Sequence, residues 1–159
     1  MKRFLALICI LILTFTLSAC GLDALSAPTT YQATFQLYVV SQDFSLNDYN
    51  NIQVQQQLRK DVSVILKSRS VLNQVIEETG TTLSLEELQD MISVENDLDT
   101  RIITVCVTGD DDQLVMDIAQ ALVEIGPEIA RIIMGTDVIR VWEAPTLTTI
   151  KPSWQNLFS

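Results

Sequence analysis

The chain has 159 residues, with 10 Lys and Arg against 20 Asp and Glu, no histidine, and a formal net charge of −10. A surface this acidic repels nucleic acid and anionic headgroups, so no nucleic-acid partner is expected. The missing histidine removes the usual general base and the commonest zinc ligand.

Residues 1–19 read as a secretory signal. Lys2 and Arg3 form its basic start, an apolar stretch follows over 4–17, and small residues end it. The run LSAC at 17–20 has the form of a lipobox, where a bacterial lipoprotein precursor is acylated on cysteine and cut just before it. Cys20 is therefore the candidate lipidation site. A bare transmembrane helix needs about 20 apolar residues, and this stretch is shorter. The other reading of the same residues is an uncleaved N-terminal anchor whose last residue happens to be cysteine. Both readings place the following domain outside the cytoplasm, and lipid on Cys20 would hold it at the membrane. Cleavage would leave about 140 residues, enough for one domain with a real core. It would also remove Lys2 and Arg3, taking the net charge from −10 to −12. Of the other cysteines, Cys9 leaves with the signal. Cys106 stands alone in an apolar run and reads as a small buried hydrophobe with no intrachain disulfide.

Residues 20–30 form a tether. In 31–40, Tyr31, Ala33, Phe35, Leu37 and Val39 alternate with Gln32, Thr34, Gln36 and Tyr38, which predicts a strand with one buried face. Asp48 can cap a helix over 48–66, with Ile52, Leu58, Val62, Ile65 and Leu66 at helical spacing. Val71, Leu72, Val75 and Ile76 mark a second helix closed by Gly80. Ser84 and Glu87 make a capping box for a short helix to Met91. Strands are predicted over 91–95 and 101–108, joined by a turn at 96–100 as a hairpin. Asp110 opens a long helix bearing Leu114, Val115, Ile118, Ala119, Leu122 and Ile125 on one face, which Gly126 and Pro127 should interrupt or bend before Gly135 ends it. Residues 137–142 read as a last strand.

The domain organisation read from these elements is a signal over 1–19, a tether over 20–30, a domain over 31–142 and a tail over 143–159. The tail holds Pro145 and Pro152 and shows no periodicity. The fold class is α+β: a single four-stranded sheet with helices packed on one face, in the order β-α-β-β-α-β, preceded by the signal or anchor segment.

Candidate chemistry is sparse. Asp110, Asp111 and Asp112 lack the spacing of a calcium loop and suit a helix N-terminus instead. Glu77 with Glu78 and Glu86 with Glu87 are adjacent on helices, so the members of each pair do not face each other as a glycosidase pair would. The run KSRS at 67–70 lacks a Ser-x-x-Lys or Gly-x-Ser-x-Gly context and reads as a helix junction capped by Ser68 or Ser70. Five glycines form no phosphate-binding loop. Trp142 reads as a core strand residue, Trp154 as a tail residue that touches a membrane interface or partner, and both, with Tyr31 and Tyr38, as residues able to stack on sugar rings. No catalytic constellation, cofactor site or metal site emerges, and a non-enzyme is expected.

The segments PTTYQATFQLYVV (28–40), ILKSRSVLNQVIEE (65–78), LSLEEL (83–88), ISV (92–94), DTRIITV (99–105) and DIAQAL (117–122), in that order, resemble Wzz-like chain-length determinant proteins, also called polysaccharide co-polymerases. The branch they look most like is the Gram-positive capsular polysaccharide adaptor that modulates a tyrosine kinase, and the likeness covers about residues 28–150. It implies an extracytoplasmic α/β domain that oligomerises at the membrane and sets glycan length or export without chemistry of its own. The family flanks this domain with two membrane helices. Here the first is replaced by a lipoprotein signal and the chain stops at Ser159 without a second, although Pro145 and Pro152 resemble the proline-rich segment before it. In the adaptor branch kinase activation is carried by a cytoplasmic tail, which is not seen in this sequence, so kinase activation forms no part of the expected function.

The function expected is a membrane-anchored accessory of exopolysaccharide or capsule assembly. Its expected partners are the membrane through Cys20, copies of itself or a co-polymerase assembly, and the polymerase or nascent glycan. Gln53 and Gln56, on a helix rich in glutamine and poor in charge, are the candidate oligomer contacts. The rival readings are an extracytoplasmic glycan- or solute-binding lipoprotein, which needs a concave aromatic-lined pocket, and a small hydrolase of unrecognised type.

Overall fold

The computed structural model describes residues 29–40, 50–96 and 100–150, with side chains from Gln53 onward in the first helix. Alternation shapes β1 (Thr30–Val39): Ala33, Phe35, Leu37 and Val39 are buried, while Gln32, Thr34, Gln36 and Tyr38 lie on the opposite face. Then follow α1 (Asn50–Leu66), α2 (Arg69–Thr79), α3 (Leu85–Met91), β2 (Ile92–Asn96), β3 (Ile102–Gly109), α4 (Asp112–Met134) and β4 (Ile139–Ile150). The strands form one antiparallel sheet in the order β2-β3-β1-β4. The hairpin strand β3 is thus inserted between β1 and β2, the split arrangement that a β-α-β-β-α-β order allows.

The class and element order read from the sequence are those observed. Register brings Ala33 opposite Val107, Phe35 opposite Val105 and Leu37 opposite Ile103, and Ile92 and Val94 extend the same face from β2. Against that face pack Val62 and Leu66 of α1, Val71, Leu72 and Val75 of α2, Leu88 of α3, and Val115, Ile118 and Leu122 of α4, forming one core. Each fully buried side chain of this size stabilises the fold by about 1.5–3 kcal/mol, which is why both periodicities are so plain in the sequence. Gly80, at φ 60°, closes α2 as expected.

Four expectations give way. The long helix opens one residue later than expected: Asp111 is its N-cap, the Asp111 carboxylate accepting the Leu114 N–H at 2.8 Å. Of the interruption or bend expected at Pro127, the interruption does not occur: α4 runs unbroken from Asp112 to Met134. A proline costs a helix interior about 3 kcal/mol. Val115, Ile118 and Leu122 before it and Ile129 and Ala130 after it are all buried in the same core, and their burial outweighs that cost. The serine junction at 67–70 is a helix boundary, but Ser68 occupies the N-cap of α2 without a side-chain capping bond.

The fourth difference is the largest. β4 does not stop at Trp142 but continues through Glu143 and Pro145 to Ile150. Its register against β1 slips twice, between Thr34 and Gln36 and between Gln36 and Leu37, so β4 carries two more residues than the β1 stretch it pairs with. Bulges and a proline are tolerated because β4 is an edge strand, whose outer hydrogen-bonding row has no neighbour in the sheet. They also make that edge a poor template for unwanted pairing. Asp48, the centre of the turn at 97–99, residues 1–28 and the tail beyond Ile150 lie outside the described residues.

Candidate functional site

Of the acidic groups singled out in the sequence, Asp111, Asp112 and Glu87 serve helix N-termini. Asp111 caps α4, Asp112 accepts the Gln113 N–H at 2.9 Å, and Asp117 accepts from the Gln113 side chain at 2.7 Å. In the capping box the Glu87 carboxylate accepts the Ser84 N–H at 2.8 Å while the Ser84 hydroxyl accepts the Glu87 N–H at 3.2 Å. The Ser84 hydroxyl also donates to the Glu87 carboxylate at 2.8 Å, and the bonds this carboxylate accepts, from the Ser84 backbone N–H first and the hydroxyl second, hold it below its usual pKa. Glu128 is likewise held low, chiefly by its hydrogen bond from Arg131 one turn on.

The glutamines of α1 divide by role. Gln55 accepts from Arg101 Nε at 3.0 Å, and Gln57 donates to Asp61 at 2.8 Å. Gln53 and Gln56 are exposed, on the surface and not in the core. Below them Arg59, buried on α1, donates to the Thr100 carbonyl at the start of β3. Ser63, a turn further on, bonds Asn96 at the end of β2. The β2–β3 hairpin is thus tied to α1 at both of its shoulders.

Across the sheet from the helices lies a polar face. Register places Gln32 opposite Thr108 and Thr148, Thr34 opposite Cys106 and Thr146, and Gln36 opposite Thr104 and Glu143. Cys106 is buried as expected, with its Sγ 3.6 Å from Thr34 Oγ1. At one end of this face Tyr38 and Trp142 meet, their ring centroids 6.2 Å apart and their planes at 37°. Trp142 is 61% exposed, so the core position expected for it is wrong. It lies on the edge strand where the β4 register slips, beside Tyr38, whose side chain is on the face opposite the buried one. Arg101 Nη1 donates to the Tyr38 hydroxyl at 3.3 Å, linking the ring to Gln55 on α1. The pairing of Tyr38 with Trp142 was not read from the sequence. Register sets Arg140, two residues before Trp142, opposite Tyr38, a relation between distant segments that neither carries by itself.

Two grooves open on the helix side. One of about 310 Å³ between α2 and α4 is lined by Glu78, Thr79, Asp117, Gln120, Ala121 and Glu124. The other, about 540 Å³, runs beside the β2 edge and is lined by Ser63, Val64, Lys67, Gln89 and residues 92–94. Neither has an aromatic wall. Among the described residues no cluster of His, Cys, Asp or Glu could hold a metal ion, and no helix is long and apolar enough to cross a membrane. Cys20, Trp154 and Pro152 lie outside the described residues.

This small antiparallel α+β domain, with polar surfaces and capped helices, is matched by a family. Residues 1–79, which in the described part take in β1, α1 and α2, match Wzz, the chain length determinant protein. The chain is also 27% identical over 93 residues to a probable capsular polysaccharide biosynthesis protein, YwqC, of Bacillus subtilis, over 58% of this chain and 38% of that relative. The first half of the chain is thus similar to the Wzz family, and the chain spans about two fifths of the length of the curated relative it matches.

Proposed function

We propose that the protein is a non-enzymatic, membrane-anchored accessory of exopolysaccharide or capsule assembly that modulates polymer length or export by oligomeric scaffolding. The observation that carries this reading is the Wzz match over residues 1–79, together with the likeness to a capsular polysaccharide biosynthesis protein. In this account lipid on Cys20 holds the domain at the outer face of the membrane, where copies of it pack side by side or join a co-polymerase assembly. The assembly presents a surface to the polymerase and the nascent glycan. Gln53 and Gln56 are exposed on α1, as a subunit contact requires. Length control by such a scaffold needs no general acid or nucleophile; it needs subunits whose spacing and surface set how long a polymer stays engaged. Deleting the gene should shift the modal length or amount of surface polysaccharide, and restoring it should reverse the shift. An unchanged size distribution would contradict the reading.

A further inference from the structure

We infer that the Tyr38–Trp142 corner of the sheet binds an acidic glycan, a sugar chain carrying carboxylate or phosphate groups. The inference rests on the reading above, in which a nascent glycan meets this domain. A large apolar side chain left 61% exposed is held in place by a second ring, not by burial. Tyr38 is itself fixed by the Arg101 guanidinium, which also bonds Gln55 on α1, so the ring pair is braced against the helix layer. Aromatic faces carry partial negative charge and offer large apolar area to the polarised C–H face of a pyranose.

Charge narrows the class of sugar. In a chain of formal charge −10, two arginines flank this one ring pair, Arg101 by a hydrogen bond and Arg140 by its place in the register. Arg101 reaches Tyr38 from the side of β3, and Arg140 stands opposite Tyr38 on β4, exposed and without an ion pair among the described residues. Guanidinium recognises carboxylate and phosphate in a planar, two-pronged geometry. Glu143, opposite Gln36 on the same face, offsets part of the positive charge. The corner therefore suits one acidic group per bound segment and not a dense polyanion such as nucleic acid. Gln36 supplies a hydrogen-bonding side chain for the sugar hydroxyls next to the rings. The affinity of one such corner is weak, and repeated copies in an assembly would strengthen it through a repeating polymer.

The test uses the full chain in detergent micelles and trigalacturonate as the acidic probe, with maltotriose as the neutral one, read by saturation-transfer NMR. Saturable binding of trigalacturonate is expected, with maltotriose about tenfold weaker, the loss of one charge-assisted contact. Trp142→Ala should abolish binding of both sugars. Arg140→Gln should weaken trigalacturonate to the maltotriose level and leave maltotriose unchanged. Both residues are exposed, and an unchanged urea midpoint confirms that each variant folds. Absence of trigalacturonate binding would overturn the inference, as would binding indifferent to both substitutions. So would a blue shift of Trp142 emission, in a Trp154→Phe background, on transfer to phosphatidylglycerol nanodiscs without sugar, since that assigns the corner to lipid. Binding is read on purified protein, so it stands or falls separately from polysaccharide length in cells.

Discussion

A methyl group placed on Gly126 would come within 2.5 Å of Leu66 Cδ2. The glycine lets the end of α1 press against α4 at the turn where Pro127 has already removed a helix hydrogen bond, and Leu66 is fully buried there. Gly126→Ala gains up to about 1 kcal/mol of helix propensity. It must also displace Leu66 in a filled core, at a cost of about 1–3 kcal/mol. Net destabilisation in urea is expected. Combining it with Leu66→Ala, which makes room for the new methyl, should cost less than the sum of the two single changes. Additive losses would show that the contact is not limiting.

Arg59 holds the β2–β3 hairpin to α1 through the Thr100 carbonyl, and it is 6% exposed. Arg59→Ala removes both the packed aliphatic stem and a charge-assisted bond, a loss of about 2–4 kcal/mol. Amide exchange should accelerate most in β2 and the start of β3. Uniform acceleration across the sheet would contradict a local role for this arginine.

The capping box makes stability depend on pH. Folding lowers the Glu87 pKa below the ordinary 4.5, so the folded chain holds that proton less readily than the unfolded one. Its stabilisation is full above the unfolded value and is lost as pH falls through the folded value. Glu128, lowered by Arg131, acts in the same direction. Stability should therefore fall with acidity below about pH 4.5, and Glu87→Gln, which keeps an acceptor but cannot titrate, should flatten that fall. An identical pH profile for the variant would remove Glu87 from the account.

Gln53 and Gln56 are exposed on α1, and replacing both with arginine should reduce the oligomer mass seen by light scattering without changing the urea midpoint. Unchanged mass would move the subunit contact to another surface.

Much of the fold is legible in the sequence wherever a residue's environment is decided locally or by one strongly buried face. The alternation of β1, the capping box at Ser84 and Glu87, and Gly80 as a helix stop all have this character. Pro127 misleads because its penalty is local whereas the burial of Leu122 and Ile129 on either side is tertiary. The second half of β4 is hidden because its two register slips each invert the alternation, and an edge strand with mostly exposed residues has little apolar pattern to show. Of the candidate surface, the exposure of Gln53 and Gln56 follows from their helical positions. The Tyr38–Trp142 pair depends on a pairing between residues far apart in the chain, which neither local sequence reveals.

The most direct test of the central claim is the size distribution of surface polysaccharide as the supply of this protein is varied from an inducible promoter in a deletion strain. A scaffold that sets length predicts a modal length that moves with the supply of subunits, and a Cys20→Ser version that fails to move it. A modal length indifferent to supply would contradict length control, whatever else the domain binds.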